Sequence, residues 1–312
     1  MTESPRRPRS HARALFAATA LAACHPTPSA LAPTSSAPST ATAPPPSAPP
    51  SASPVADGVW QEPLLADHPL VGRIYRPGAR AFATRAELEA ALAGARYVLL
   101  GEKHDNRDHH RLQAELITGL ARLGRARAVA FEMIDVSAQP VVDALLAGSA
   151  TSPPDVDALA AALRWDASGW PAWSMYRPVF AAALGARARL VAANLSRTDA
   201  MAVARARREG KDPATAVSPP LPPLPALPAG AEAALADELR ASHCGALPEA
   251  SLPGMMLAQR ARDATLAARV REAAGVEAAG AVVLIAGAGH VRADRGVPAA
   301  LRAAEPGAAA GA

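Results

Sequence analysis

Four short apolar runs constrain this 312-residue chain more than any other feature: Tyr97-Val98-Leu99-Leu100, Ala128-Val129-Ala130-Phe131, Leu190-Val191-Ala192-Ala193 and Ala281 to Ala286. Each run is continuous rather than alternating, and segments with helical spacing lie between them. A strand apolar on both sides is a strand covered on both faces, the usual condition of a parallel sheet. The fold expected is α/β: a parallel sheet flanked by helices, with a smaller helical subdomain. Strand material falls within about 95–134, 186–195 and 278–290; helical material falls at 136–182 and 197–272. The segment Arg85–Leu92 is amphipathic. His109–Leu123 repeats leucine at helical spacing (Leu112, Leu116, Leu120, Leu123) after Asp108, an apt N-cap. Met255–Val270 reads as a further helix, bounded by Pro253-Gly254. Half the chain is hydrophobic, enough for a sizeable core.

Every run ends in polar residues. The first leads into Gly101-Glu102-Lys103-His104-Asp105-Asn106, the second into Glu132, the third into Asn194 and the fourth into Gly287-Ala288-Gly289-His290. Ligands of open parallel sheets bind beyond the carboxyl ends of the strands, so four polar strand ends form a constellation. Glu102 and His104, two apart, point to the same side if the strand continues; the bland reading of His104 is a helix cap. The glycines before His290 let backbone approach a ligand; otherwise it is a surface loop histidine. A carboxylate at Glu132 is costly beside apolar residues unless paired, either in a site or in a salt bridge with an arginine such as Arg262. Imidazole beside thiol at His243-Cys244 suits a metal or an activated nucleophile, with His243 the stronger candidate. His109 and His110 diverge by about 100° on a helix, so at most one faces a site. Gln259 and Asp263 share a helix face.

The formal charge of +4 is concentrated at the start: Arg6, Arg7, Arg9 and Arg13 against Glu3. Removing residues 1–24 leaves about +1, which with 4% aromatics argues against a nucleic-acid partner. Two cysteines, Cys24 and Cys244, make neither a disulfide framework nor a cysteine-built zinc site. Residues 1–24 read as a secretion signal: a basic start, an apolar run too short to span a bilayer, and Leu21-Ala22-Ala23-Cys24. That ending resembles the bacterial lipobox, which makes Cys24 the acylated first residue of a lipid-anchored protein; ordinary secretion is the alternative. Residues 25–56 are almost entirely Ala, Pro, Ser and Thr and read as a disordered tether. The folded part is expected at 57–305, with an exposed Pro-rich loop at 213–228 and a flexible tail at 306–312.

Taken together, Leu99 to Asn106 with His109-His110 and Gln113, Phe131-Glu132-Met133, Trp170 to Pro178, His243-Cys244-Gly245, Gln259 to Asp263 and Gly287 to Val291 resemble the ChaN-like haem-binding uptake lipoproteins. These are grouped with the Tiki/TraB and erythromycin-esterase-like superfamily. The resemblance implies haem as ligand and a role in haem or iron uptake. It implies a place in the cell envelope, lipid-anchored, at the outer membrane facing the periplasm, and a homodimer as a form to consider. It implies a tyrosine on the haem iron. Of the three tyrosines, Tyr176 is the choice, because aromatics near it could flank a porphyrin. Glu102, His104, Glu132, His243, His290 and Arg262 are the ligand-binding candidates, Arg262 for a haem propionate. Covalent c-type attachment is excluded, since no Cys-x-x-Cys-His occurs. Superfamily relatives imply the alternative, a metal-dependent protease or esterase. There Glu102, His104, His243 and His290 hold a divalent metal and Glu132 is the general base.

Overall fold

A computed structural model describes residues 60–147, 155–275 and 279–305. The signal segment 1–24, Cys24, the 25–56 stretch and the 306–312 tail lie outside the described residues.

All four runs are strands, β3 (Tyr97–Glu102), β4 (Ala126–Asp135), β5 (Arg189–Asn194) and β6 (Ala281–Gly287), in one sheet ordered β3-β6-β4-β5. Every pairing in it is parallel. Alternate residues of each strand feed two separate cores. Val129, Phe131, Leu190, Ala192, Val283 and Ile285 pack toward α2 (Arg107–Arg122), α3 (Gln139–Ala147), α4 (Val156–Ala162) and α5 (Trp173–Gly185). Ala128, Ala130, Val191, Ala193, Val282 and Leu284 pack toward α8 (Leu252–Ala274) and α9 (Gly296–Ala304). Burial on both faces explains why the strands read as unbroken apolar runs. A short antiparallel hairpin, β1 (Ile74–Arg76) with β2 (Ala81–Ala83), precedes the sheet. Its strands are too short to show in the sequence.

Local signals decide the helix starts, with two corrections. α1 (Arg85–Gly94) opens on a capping box, Thr84 with Glu87. α2 is capped by Asn106, whose Oδ1 accepts from His109 N at 2.9 Å, and not by Asp108. The Asp108 carboxylate instead accepts from the backbone of Gln61 and Glu62, pinning the start of the described chain to this helix. Pro253-Gly254 does not bound α8 from outside. Pro253 occupies the first turn, where its missing N–H is no loss. Gly254 lets the helix approach α6 (Arg197–Arg208), since a Cβ there would lie 3.0 Å from the Ala204 carbonyl oxygen. The Pro-rich stretch after α6, ahead of α7 (Ala231–Ser242), has exposed and half-buried residues and none fully buried. Val217 and Leu221 pack against Leu195, Val203 and Ala261, and Arg260 donates to the Pro225 carbonyl.

Candidate functional site

The carboxyl edge of the sheet gathers two histidine–carboxylate units. In the first, Glu102 ends β3 and is buried. Its Oε1 faces His104 Nδ1 at 2.9 Å and accepts from the Tyr176 hydroxyl at 2.6 Å. Its Oε2 lies 3.3 Å from His110 Nε2. Burial pushes the Glu102 carboxyl up, but His104, His110 and Tyr176 outweigh it and hold the group at about 2. A carboxylate only accepts, so His104 carries its proton on Nδ1. Its Nε2 makes no hydrogen bond among the described residues. Burial lowers the His104 pKa, yet Glu102 and Glu132 bring it above the ordinary imidazole value. The ring is about one-third exposed and sits edge-on to Trp170, centroids 4.9 Å apart.

The second unit is closed. Glu132, inside β4, accepts from Gly287 N at 2.7 Å and faces His290 Nε2 at 3.2 Å. His290 Nδ1 lies 2.6 Å from Asp263 Oδ1. Both ring nitrogens face carboxylates, so both carry protons and the ring is an imidazolium. Burial opposes this charge, but Glu132 and Asp263 overcome it and raise the pKa to about 10. Burial raises Glu132 too, and the His290 charge brings it down to about 2. Asp263 is pushed up, because burial and the Glu132 charge outweigh its bond to His290.

Two glycines make this edge fit. A Cβ on Gly287 would lie 3.0 Å from His104 Nε2 and 3.6 Å from Glu132 Oε2, so this glycine keeps the two units adjacent and the imidazole unobstructed. Gly296 has φ +72°, and a Cβ there would meet the His290 carbonyl oxygen at 2.4 Å. That close approach lets Val297 N donate to the same oxygen.

The sequence matches the haem-binding uptake family of the Tiki superfamily, ChaN, over residues 88–301. The chain belongs to this family. Among solved structures it resembles ChaN of Campylobacter jejuni, described for its cofacial haem binding. The TM-score is 0.59 at 22% identity, covering 74% of this chain and 85% of the other; at that identity the likeness speaks for the fold. A second resemblance is to RRSP, a MARTX toxin effector domain of Vibrio vulnificus. Its TM-score is 0.39 at 16% identity, covering 72% of this chain and 35% of that one. No curated protein matches the chain.

The structure brings together Glu102, His104, Glu132 and His290 of the residues singled out in this family member, and adds His110 and Asp263. The divergence of His109 and His110 is resolved in favour of His110. His110 is buried toward Glu102, whereas His109 Nδ1 accepts from Lys103 N. Tyr176 is in the site. It is fully buried, donates to Glu102, and its ring lies tilted against that of His110, centroids 4.1 Å apart. Burial and the adjacent Glu102 charge push its phenol far above the ordinary tyrosine range. His243 stands apart. It is exposed beyond the last turn of α7, bonded to Leu239 O and beside Ser242 Oγ. Arg262 partners neither Glu132 nor Asp263. Its charge acts on Asp135, which burial pushes up and Arg262 draws down. No group of three or more His, Cys, Asp or Glu side chains among the described residues is placed to hold a metal ion, so the four-ligand set built on His243 is not assembled. The i, i+4 spacing of Gln259 and Asp263 was the available signal for Asp263. Glu238, which pairs with Arg295 and whose carboxylate a Cβ on Gly289 would meet at 3.1 Å, has no sequence signal.

Proposed function

We propose that this chain takes up haem as cargo at the strand-end site, as a lipid-anchored component of haem or iron acquisition in the cell envelope, with His104 as the residue that meets the iron. The observation that supports this reading most is the state of His104. Its Nδ1 is fixed on a buried carboxylate and its Nε2 makes no hydrogen bond among the described residues. An imidazole ligates through one nitrogen while a carboxylate orients it through the other. Trp170 and the opening at Gly287 supply an apolar wall and clearance. Family membership supplies the cargo class, and the lipobox at Cys24 supplies the anchor. Because a relative binds haem cofacially, two copies per haem pair is the loaded form to look for by light scattering.

Titrating haemin into the purified chain should give a saturable Soret shift that His104→Ala abolishes and Tyr176→Phe leaves in place. A shift that survives His104→Ala but changes with Tyr176→Phe would return the ligand to the tyrosine, and no saturable shift at all would remove the haem reading. For the anchor, Cys24→Ser should release the protein from membranes; mature protein without lipid by mass spectrometry would overturn it.

The same geometry favours a second reading, a hydrolytic site without metal. Glu132 is occupied by Gly287 N and His290, so the group left to take a proton from water is His104 Nε2. Turnover of ester or peptide substrates that disappears with His104→Ala, in metal-chelated buffer, would select it.

A further inference from the structure

On the far side of α2 and α5 from Tyr176, a groove of about 790 Å³ is lined by Arg85, Arg107, Arg111 and Arg122 over an apolar floor of Met175 and Pro178. Its single acid, Glu115, is shared between Arg111 at 2.8 Å and Arg85 at 3.5 Å. Arg107 and Arg122 are exposed and make no ion pair among the described residues. None of Glu102, His104, Glu132 or His290 lines this groove.

Beside it lies the segment that opens the described chain. Leu64, Leu65 and Leu70 are 76%, 67% and 56% exposed, more than any other large apolar side chain among the described residues. Arg111 stands over the Trp60 ring, 5.0 Å from its centroid. Arg85 lines both the groove and an apolar pocket of about 370 Å³ that includes Trp60, Leu64 and Ile74. Arg85 and Arg111 are balanced by Glu89, Asp108 and Glu115, and Glu62 and Asp108 also line that pocket, so the uncompensated guanidiniums of this region are Arg107 and Arg122, with Trp60 and Leu64 beside the groove and Leu65 and Leu70 close by in sequence.

We propose that this face seats on an anionic lipid surface, leucines into the interface and arginines on the phosphates. Arginine binds phosphate oxygens in pairs, basic residues near an anionic leaflet attract it, and tryptophan and leucine suit the headgroup boundary. The chain enters the described residues at this face, and Cys24 precedes Trp60 by fewer than forty residues, so an anchor there would keep this face within about 30–35 Å of the bilayer on average. A second copy is the weaker occupant. A two-fold contact places each patch on itself, which would bring the arginine groove against its own like charge. The inference rests on the envelope reading above, and its test is kept separate from the anchor by using the chain from residue 25 onward, which carries neither Cys24 nor the basic, apolar segment 1–24.

That protein should co-sediment with vesicles of mixed phosphatidylglycerol and phosphatidylcholine, and not with phosphatidylcholine alone. Arg107→Ala with Arg122→Ala should weaken binding by about thirtyfold, taking ~1 kcal/mol for each arginine. Leu64→Ser, Leu65→Ser and Leu70→Ser together should abolish it, with circular dichroism unchanged in both variants. Equal binding to both vesicles, or to neither, would overturn the proposal. A concentration-dependent dimer that the triple leucine variant dissolves would overturn it in favour of a second copy. Loss of the lipid anchor on wild-type protein, read by mass spectrometry, bears on the envelope reading alone.

Discussion

His104 and His290 are both imidazoles held by buried carboxylates at one sheet edge, yet they are built for different work. His290 has a carboxylate on each ring nitrogen and is nearly inaccessible. Nothing remains with which to bind a ligand, so it serves as a fixed internal cation that keeps Glu132 and Asp263 tolerable inside the protein. His104 has one nitrogen committed and one uncommitted, and its ring reaches solvent. The number of nitrogens tied up, rather than the presence of a histidine, separates a structural group from a binding group.

The comparison is broken most forcefully at the closed unit. His290→Ala leaves Glu132 and Asp263 buried together without their counter-charge. Losing one partner of such a set costs about 3–5 kcal/mol, so urea denaturation should show a large fall in stability. A fall no greater than that of His104→Ala would mean that the two units are equivalent after all.

Acid and alkali probe the same unit from both sides. The His290 pKa is raised to about 10 from an ordinary 6.5, so its stabilisation is full below 6.5 and is lost as pH rises through about 10. Glu132 and Glu102 are depressed to about 2 from 4.5, so theirs is present above 4.5 and is lost as pH falls toward 2. The melting temperature should therefore peak between about pH 4.5 and 6.5, and His290→Ala should remove the part of the alkaline decline that reaches toward pH 10, leaving the smaller part due to His104.

Tyr176→Phe removes one donor from a buried carboxylate while keeping the ring. A hydrogen bond to a charged group is worth about 1.5–3 kcal/mol, and thermal melts should show a loss of that size with the Soret band of the haemin complex retained. The smallest effect on stability belongs to His104→Ala, about 1 kcal/mol or less because the ring is partly exposed, although haemin binding should disappear. If Tyr176→Phe abolished the band and His104→Ala spared it, the open and closed roles would have to be reassigned.

The strands were legible because burial on both faces leaves an unbroken apolar run. Their order was not, because nothing in Ala281 to Ala286 records its neighbours. Asn106 and Asp108 both suit the N-cap role locally, and a contact of Asp108 to Gln61 and Glu62, remote in sequence, decides between them. The aromatics that mark Tyr176 in the sequence, Trp165 and Phe180 among them, are also the core that buries it, and only the fold shows that its hydroxyl reaches Glu102. His243 was selected on its local chemistry, and local chemistry does not say where a helix end lies. Asp263 and His290 were visible separately, but their 2.6 Å contact is a product of the tertiary fold.

The position of β6 has a consequence in time. Among the described strands it is the last to be synthesised, and it lies between β3 and β4, with every residue buried. Until residues 281–287 leave the ribosome, the two earlier strands have no shared neighbour, and neither Gly287 nor His290 exists to complete the edge. The sheet therefore closes by insertion of its final piece, and its longest-range pairing, Tyr97 with Val282, spans most of the described chain. Folding that waits for distant contacts is slow, so a nascent chain of this sequence stays open for as long as it is being made. A truncation before Ala281 removes the middle of the sheet rather than its rim.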